Sequence, residues 1–163
     1  MAMTNERDRR RMLAVIGPRS ESGGWSEELA HCAERVGEWA AAHEWAILCG
    51  GLTGAGESAV RTCRSRGGLT IAVTPEDEDD SGAEIVIRTR LGVYRNFVIA
   101  HAADAAVAVG GGMGTLQEAS QIHKLGRPLA AVGVEWQFPG LMLCTGFEEL
   151  TQRFLLALSS SLG

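Results

Sequence analysis

The chain has 163 residues, 45% of them hydrophobic and 21% charged, with a formal charge of −5 at neutral pH. A domain of this length buries roughly 70% of its unfolded surface without disulfides or metals. The acidic balance excludes the broad basic face that nucleic acid requires, and no apolar run approaches the ~18 residues that cross a bilayer. Cys32, Cys49, Cys63 and Cys144 show neither CxxC nor zinc-finger spacing, so they read as small buried apolar residues of a reducing cytoplasm. The basic block Arg7, Arg9, Arg10 and Arg11 marks residues 1–11 as a flexible, solvated tail ahead of one domain over 12–163.

Short apolar runs then alternate with amphipathic ones. MLAVIG (12–17) predicts a first strand, and from Ser26 a helix follows with Leu29, Cys32, Val36, Trp39 and Ala40 on one face. WAILCGG (45–51) predicts the second strand. A helix over 54–66 comes next, closed by Gly67 and Gly68. LTIAVTP (69–75) predicts a third strand, and the acidic EDEDDSG after it a solvated turn. EIVIRTR (84–90) alternates as a half-exposed strand does. A helix from Gly92 to Ala102 leads to DAAVAVGG (104–111), apolar enough to be a central parallel strand buried on both faces. The next helix ends at Lys124, with Gly126 at C′ and Pro128 opening PLAAVGV. A short LMLC run and a last helix through FEELTQRFLLAL complete the chain. Strand–helix alternation of this kind predicts a single-domain, Rossmann-like three-layer α/β/α sandwich around a mainly parallel sheet.

Ligands of such sheets bind beyond the carboxyl ends of the strands, where this sequence places its glycine-rich loops. Gly17 and Ser20 belong to the first, Gly50, Gly51, Thr53 and Gly54 to the second, and Gly111, Gly112, Gly114 and Thr115 to the third. Glycine lets a phosphate approach the amides at a helix N-terminus, and a threonine hydroxyl adds a donor. Three such loops on one edge predict a phosphorylated ligand. There is no GxxxxGK[ST], and the first loop, GPRSESGG, is not GxGxxG, which argues against a P-loop nucleotidase and a dinucleotide enzyme. Glu118 has two readings from spacing. Thr115-Leu-Gln-Glu118 fits a T-x-x-E capping box, as does Thr145-Gly-Phe-Glu148; alternatively Glu118 is a carboxylate of the site.

LCGGLTGAGESAV (48–60), YRNFVIAHAADAAVAVGGGMGTLQE (94–118) and KLGRPLA (124–130) resemble the Lonely Guy (LOG) superfamily, long labelled "possible lysine decarboxylase". The best match is its small bacterial branch, which is also similar to molybdenum-cofactor carrier proteins. The superfamily's cytokinin-activating enzymes hydrolyse the N-glycosidic bond of nucleoside 5′-monophosphates, releasing base and ribose 5-phosphate. The resemblance implies that Gly111, Gly112, Gly114 and Thr115 hold the phosphate. It makes Glu118 the catalytic carboxylate, stabilising an oxocarbenium-like sugar and activating water, with Arg95 as its partner. It implies a small phosphorylated ligand, either a nucleoside monophosphate or a molybdopterin-type compound. It also implies a dimer or tetramer, with Trp136, Phe138 and the last helix as apolar faces, and no bound cofactor or metal. Two readings stand side by side: a nucleotide phosphoribohydrolase, or a carrier or sensor that binds without turnover. The sequence departs from the hydrolase signature at Gly110, where those enzymes have proline, and at Asn96, where a basic residue is common. The decarboxylase label fails, because the single lysine, Lys124, sits at a helix end and not where a Schiff base would be needed.

Overall fold

A computed structural model describes residues 9–160. Its strands are β1 (Met12–Ile16), β2 (Ala46–Cys49), β3 (Thr70–Thr74), β4 (Ile85–Arg88), β5 (Ala105–Val109), β6 (Leu129–Val132) and β7 (Met142–Cys144). Its helices are α1 (Glu27–Ala42), α2 (Ala55–Ser65), α3 (Arg95–Ala102), α4 (Met113–Lys124), α5 (Phe147–Leu150) and α6 (Leu156–Ser160). The strands form one seven-stranded sheet in the order β4-β3-β2-β1-β5-β6-β7, and every pairing is parallel. The chain is therefore a single-domain, Rossmann-like α/β protein. The order reverses between β1 and β5, where Leu13 lies beside Ala105 and Ile16 beside Ala108.

Burial follows from strand periodicity. Leu13 and Val15 of β1 pack with Val107 and Val109 of β5 against one helical layer. Ala14 and Ile16 pack with Ala106 and Ala108 against the other. The first layer holds α1, α2 and the C-terminal helices, and the second holds α3 and α4. Both faces of β1 and β5 are covered, so these strands need no polar side at all. At the open edge β4 has no such cover. Ile85 and Ile87 are both exposed, further out than a half-buried alternation predicts.

Helix ends follow their chemistry, with two corrections. Ser26 caps α1 by accepting from Leu29 N, and Gly126 takes φ +70° just past α4, as C′ glycines do. The box predicted at Thr145–Glu148 does not form: Gly146 is the N-cap of α5, no side chain caps it, and Glu149 instead accepts from both the backbone N–H and the hydroxyl of Thr145. The last helix is not continuous, because a π turn over Thr151–Leu155 separates α5 from α6. Part of the expected tail is packed. Arg9 grips Asp104 through two hydrogen bonds, and the Arg11 guanidinium stacks over Trp45. Arg7 lies outside the described residues.

One glycine sets the spacing of the first layer. A Cβ on Gly37, in the middle of α1, would stand 2.2 Å from Ala59 O and 2.4 Å from Thr62 Oγ1 of α2. The Thr62 hydroxyl in turn donates to Glu34 O of α1 at 2.8 Å. By propensity alone, alanine in a helix gains about 1 kcal/mol over glycine. Here the clash is with backbone, and separating two packed helices costs roughly 1–3 kcal/mol or more. Gly37→Ala is therefore expected to lower the melting temperature, which a thermal denaturation series with a Gly24→Ala control would check, since Gly24 is exposed, no atom crowds it and its φ is not left-handed.

Candidate functional site

Because the sheet is parallel, β1, β2 and β5 all end at the same edge, and their following loops begin there at Gly17, Gly50 and Gly110. This is the switch point of the strand order, where a crevice opens because the chain leaves in opposite directions. The loops meet closely. A Cβ on Gly17 would stand 2.5 Å from Val109 O, and one on Gly54 2.2 Å from Pro18 O. Gly51 and Gly54 also take positive φ, +71° and +92°, which L side chains rarely adopt.

Beneath this edge two charged side chains come together. Arg95 opens α3 and is 7% exposed, and Glu118 stands one and a half turns into α4. Arg95 Nη1 donates to Glu118 Oε1 at 3.3 Å, although 23 residues separate them. The guanidinium lies directly under the second loop: a Cβ on Gly50 would be 2.7 Å from Nη2. Arg95 Nε is buried and has no hydrogen-bond partner among the described residues. A cavity of about 40 Å³ is lined by Gly17, Gly50, Thr53, Arg95 and Glu118. That is room for about one water molecule, so only a small group of a ligand, or a single water, reaches the pair while the rest lies above.

Burial dominates the electrostatics. It pushes the Glu118 carboxyl up to about 7, an effect that the attraction of Arg95 only partly offsets. Burial likewise lowers Arg95 from its ordinary value, opposed first by Glu118. A carboxyl poised near neutrality and aimed into a cavity can hold or release a proton there. A guanidinium with an unused donor can take an anionic oxygen.

The third loop corrects the capping expectation. Gly112, not Thr115, is the N-cap of α4, which places Thr115 inside the first turn and Glu118 beyond it. Thr115 is buried, and its Oγ1 would lie 2.0 Å from a Cβ on Gly111, whose φ is +104°. The threonine thus packs beneath the loop. Gly112 and Gly114 have no atom within 4 Å of a Cβ and are exposed, so the amides of the first turn open to solvent. Gly110 takes φ +71°, a value closed to proline, and its N–H donates to Val132 O at 2.8 Å. Its torsion sets a backbone path that proline cannot follow.

Other contacts escaped the sequence reading. Trp136, expected on an assembly face, donates its indole N–H to Gly111 O at 2.9 Å and so anchors the third loop. Asp80 N donates to Gly51 O at 2.9 Å, which ties the acidic turn to the second loop. Ser20 and Thr53 both donate to Glu21, at 2.9 and 2.5 Å. The larger hollow between α1 and the C-terminal helices carries its charges in surface pairs of Glu38 with Arg35 and Arg66, and so offers no convergent site. Among the described residues no helix is long and apolar enough to cross a membrane.

An uncharacterized protein of Archaeoglobus fulgidus is 37% identical over 122 residues, 74% of this chain and 78% of that one. The Moco carrier protein of Chlamydomonas reinhardtii superposes with a TM-score of 0.78 at 26% identity, covering 94% of this chain and 98% of that one. The molybdenum cofactor binding protein of Rippkaea orientalis reaches 0.79 at 22% identity over 93% and 99%, which shows a shared fold. Residues 10–157 match the SLOG cluster4 family, and the chain belongs to it.

Proposed function

We propose that this protein is a carrier or sensor of a small phosphorylated ligand of the molybdopterin type, held at the three glycine loops. The observation that carries the reading is the buried Arg95, whose unpartnered Nε lies beneath an edge where the first-turn amides of α4 are open. These residues fit the phosphate end of such a cargo: Gly112, Gly114 and the amide of Thr115 form the cradle, and Arg95 supplies charge from below. Likeness to the Chlamydomonas reinhardtii Moco carrier supports the ligand class. Gly110 supports a carrier over a hydrolase, since its φ of +71° differs from anything the hydrolases' proline permits. Self-association into a dimer or tetramer belongs to the same reading. Its surface is the exposed Val93, Tyr94 and Phe97 beside Arg95.

The second reading, a nucleoside 5′-monophosphate phosphoribohydrolase, has one specific observation in its favour. The Arg95–Glu118 pair flanks a cavity the size of a water, with the carboxyl held near neutrality by burial. One experiment separates the two. Protein purified from a host that makes molybdenum cofactor is analysed for bound phosphorylated pterin, and a panel of nucleoside 5′-monophosphates is assayed for released base. The carrier reading expects bound pterin and no release. Release by wild type that Glu118→Gln abolishes would make the protein a hydrolase instead.

The site also sets a pH dependence. A carboxyl raised from 4.5 to about 7 in the folded state favours the protonated form, so its contribution to stability is complete below pH ~4.5. That contribution is lost as pH rises towards and through 7. Glu118→Gln cannot titrate, so the melting temperature of wild type relative to Glu118→Gln is expected to fall between pH 4.5 and 8. The span corresponds to at most on the order of 3 kcal/mol. A difference that stays flat over this range would show that Glu118 is not shifted.

A further inference from the structure

We infer that Glu21 is a specificity residue of this site: held by hydroxyls of the first two loops, its carboxylate receives a hydrogen-bond-donating group of the ligand and confines the phosphate to the third loop. The inference rests on the phosphorylated-ligand reading above and gives that ligand a direction.

Three observations lead to it. Ser20 Oγ and Thr53 Oγ1 both donate to Glu21 Oε2, at 2.9 and 2.5 Å. A hydroxyl has one proton to give, so neither remains a donor for a phosphate. Thr53 also lines the cavity above Arg95 and Glu118, which brings Glu21 to the mouth of the same site. Finally, Glu21 is exposed, so these bonds do not serve to satisfy a buried charge; they hold an accessible carboxylate in place. The hydrogen bond from Thr53 keeps it below the usual carboxylate range, hence ionised at neutral pH. Arg19, on the same loop, is the charged group that bears on it.

The edge is therefore not a uniform phosphate cradle. Towards β1 and β2 it presents an anion that accepts hydrogen bonds and repels phosphate. Towards β5 it presents the first-turn amides of α4, while Arg95 lies under Gly50 and pairs with Glu118 of that same helix. A ligand with a phosphate at one end and a hydrogen-bond donor at the other fits in one orientation only. The acceptor left over is Glu21 Oε1, to which neither hydroxyl donates, and the donor it takes is either an N–H of the amino–amide edge of a pterin or guanine ring or a hydroxyl of a sugar.

The test is calorimetric titration of wild type and Glu21→Gln with inorganic phosphate, ribose 5-phosphate and GMP, with melting temperatures as a control on folding. Glu21→Gln is expected to weaken a donor-bearing ligand roughly tenfold or more relative to inorganic phosphate, as loss of a charge-assisted hydrogen bond does. Weakening of both ribose 5-phosphate and GMP assigns Glu21 to sugar hydroxyls, and weakening of GMP alone assigns it to the amino–amide edge. Equal changes for all three ligands overturn the inference while leaving the phosphorylated-ligand reading intact. If wild type binds none of the three, that reading falls and takes this one with it.

Discussion

Backbone meeting backbone within the reach of a Cβ is the constraint on which this molecule depends. It recurs wherever two elements must be brought together: α1 on α2 at Gly37, the first loop on β5 at Gly17, and the second loop on the first at Gly54. At each point the partner is a main-chain carbonyl, which cannot swing aside as a side chain can. Replacing the glycine would force the elements apart by about 1 Å to restore ordinary contact, and a packed interior does not absorb that locally. The high glycine content is thus a packing device first, and only at the sheet edge does it also leave amides open.

The buried ion pair sits inside that device. Desolvating a carboxylate and a guanidinium costs about as much as their attraction returns, so the Arg95–Glu118 contact is weak support for the fold. An apolar pair of similar volume at that place would hold α3 to α4 equally well. What an apolar pair would lack is the unused Nε and a carboxyl near neutrality. The cost of burial is concentrated where two helices of one layer converge on the end of the central strands. Such placement is characteristic of sites, not of scaffolds.

The layered fold was legible because its signals are periodic. β5 announced itself by a run with no polar face, and α4 by Lys124, Gly126 and Pro128 in the order a helix end requires. The site was legible only as a set of loops on one edge. That Arg95 meets Glu118 depends on α3 and α4 packing side by side, which no local pattern encodes, and the resemblance rather than the spacing pointed to it. The T-x-x-E spacing misled for a physical reason: the helix begins at Gly112, three residues before the threonine, so no free terminal amide faces Glu118. Glu21 was missed altogether, and Trp136 was read only as part of an apolar assembly face. A lone glutamate in a polar loop and a tryptophan in an apolar one carry no periodicity, and their roles exist only once the loops are folded against each other.

Gly110 bears on which substitutions the third loop can accept. Its left-handed φ, its hydrogen bond to Val132 O and the grip of Trp136 on the neighbouring carbonyl form a unit in which each part presumes the others. Exchanging the glycine for proline would forbid the torsion and delete the N–H in the same step. A turn built on proline would therefore need another backbone path and would release both Val132 O and the Trp136 anchor. Gly110 is consequently not exchangeable by itself: the turn and its anchor can change only together.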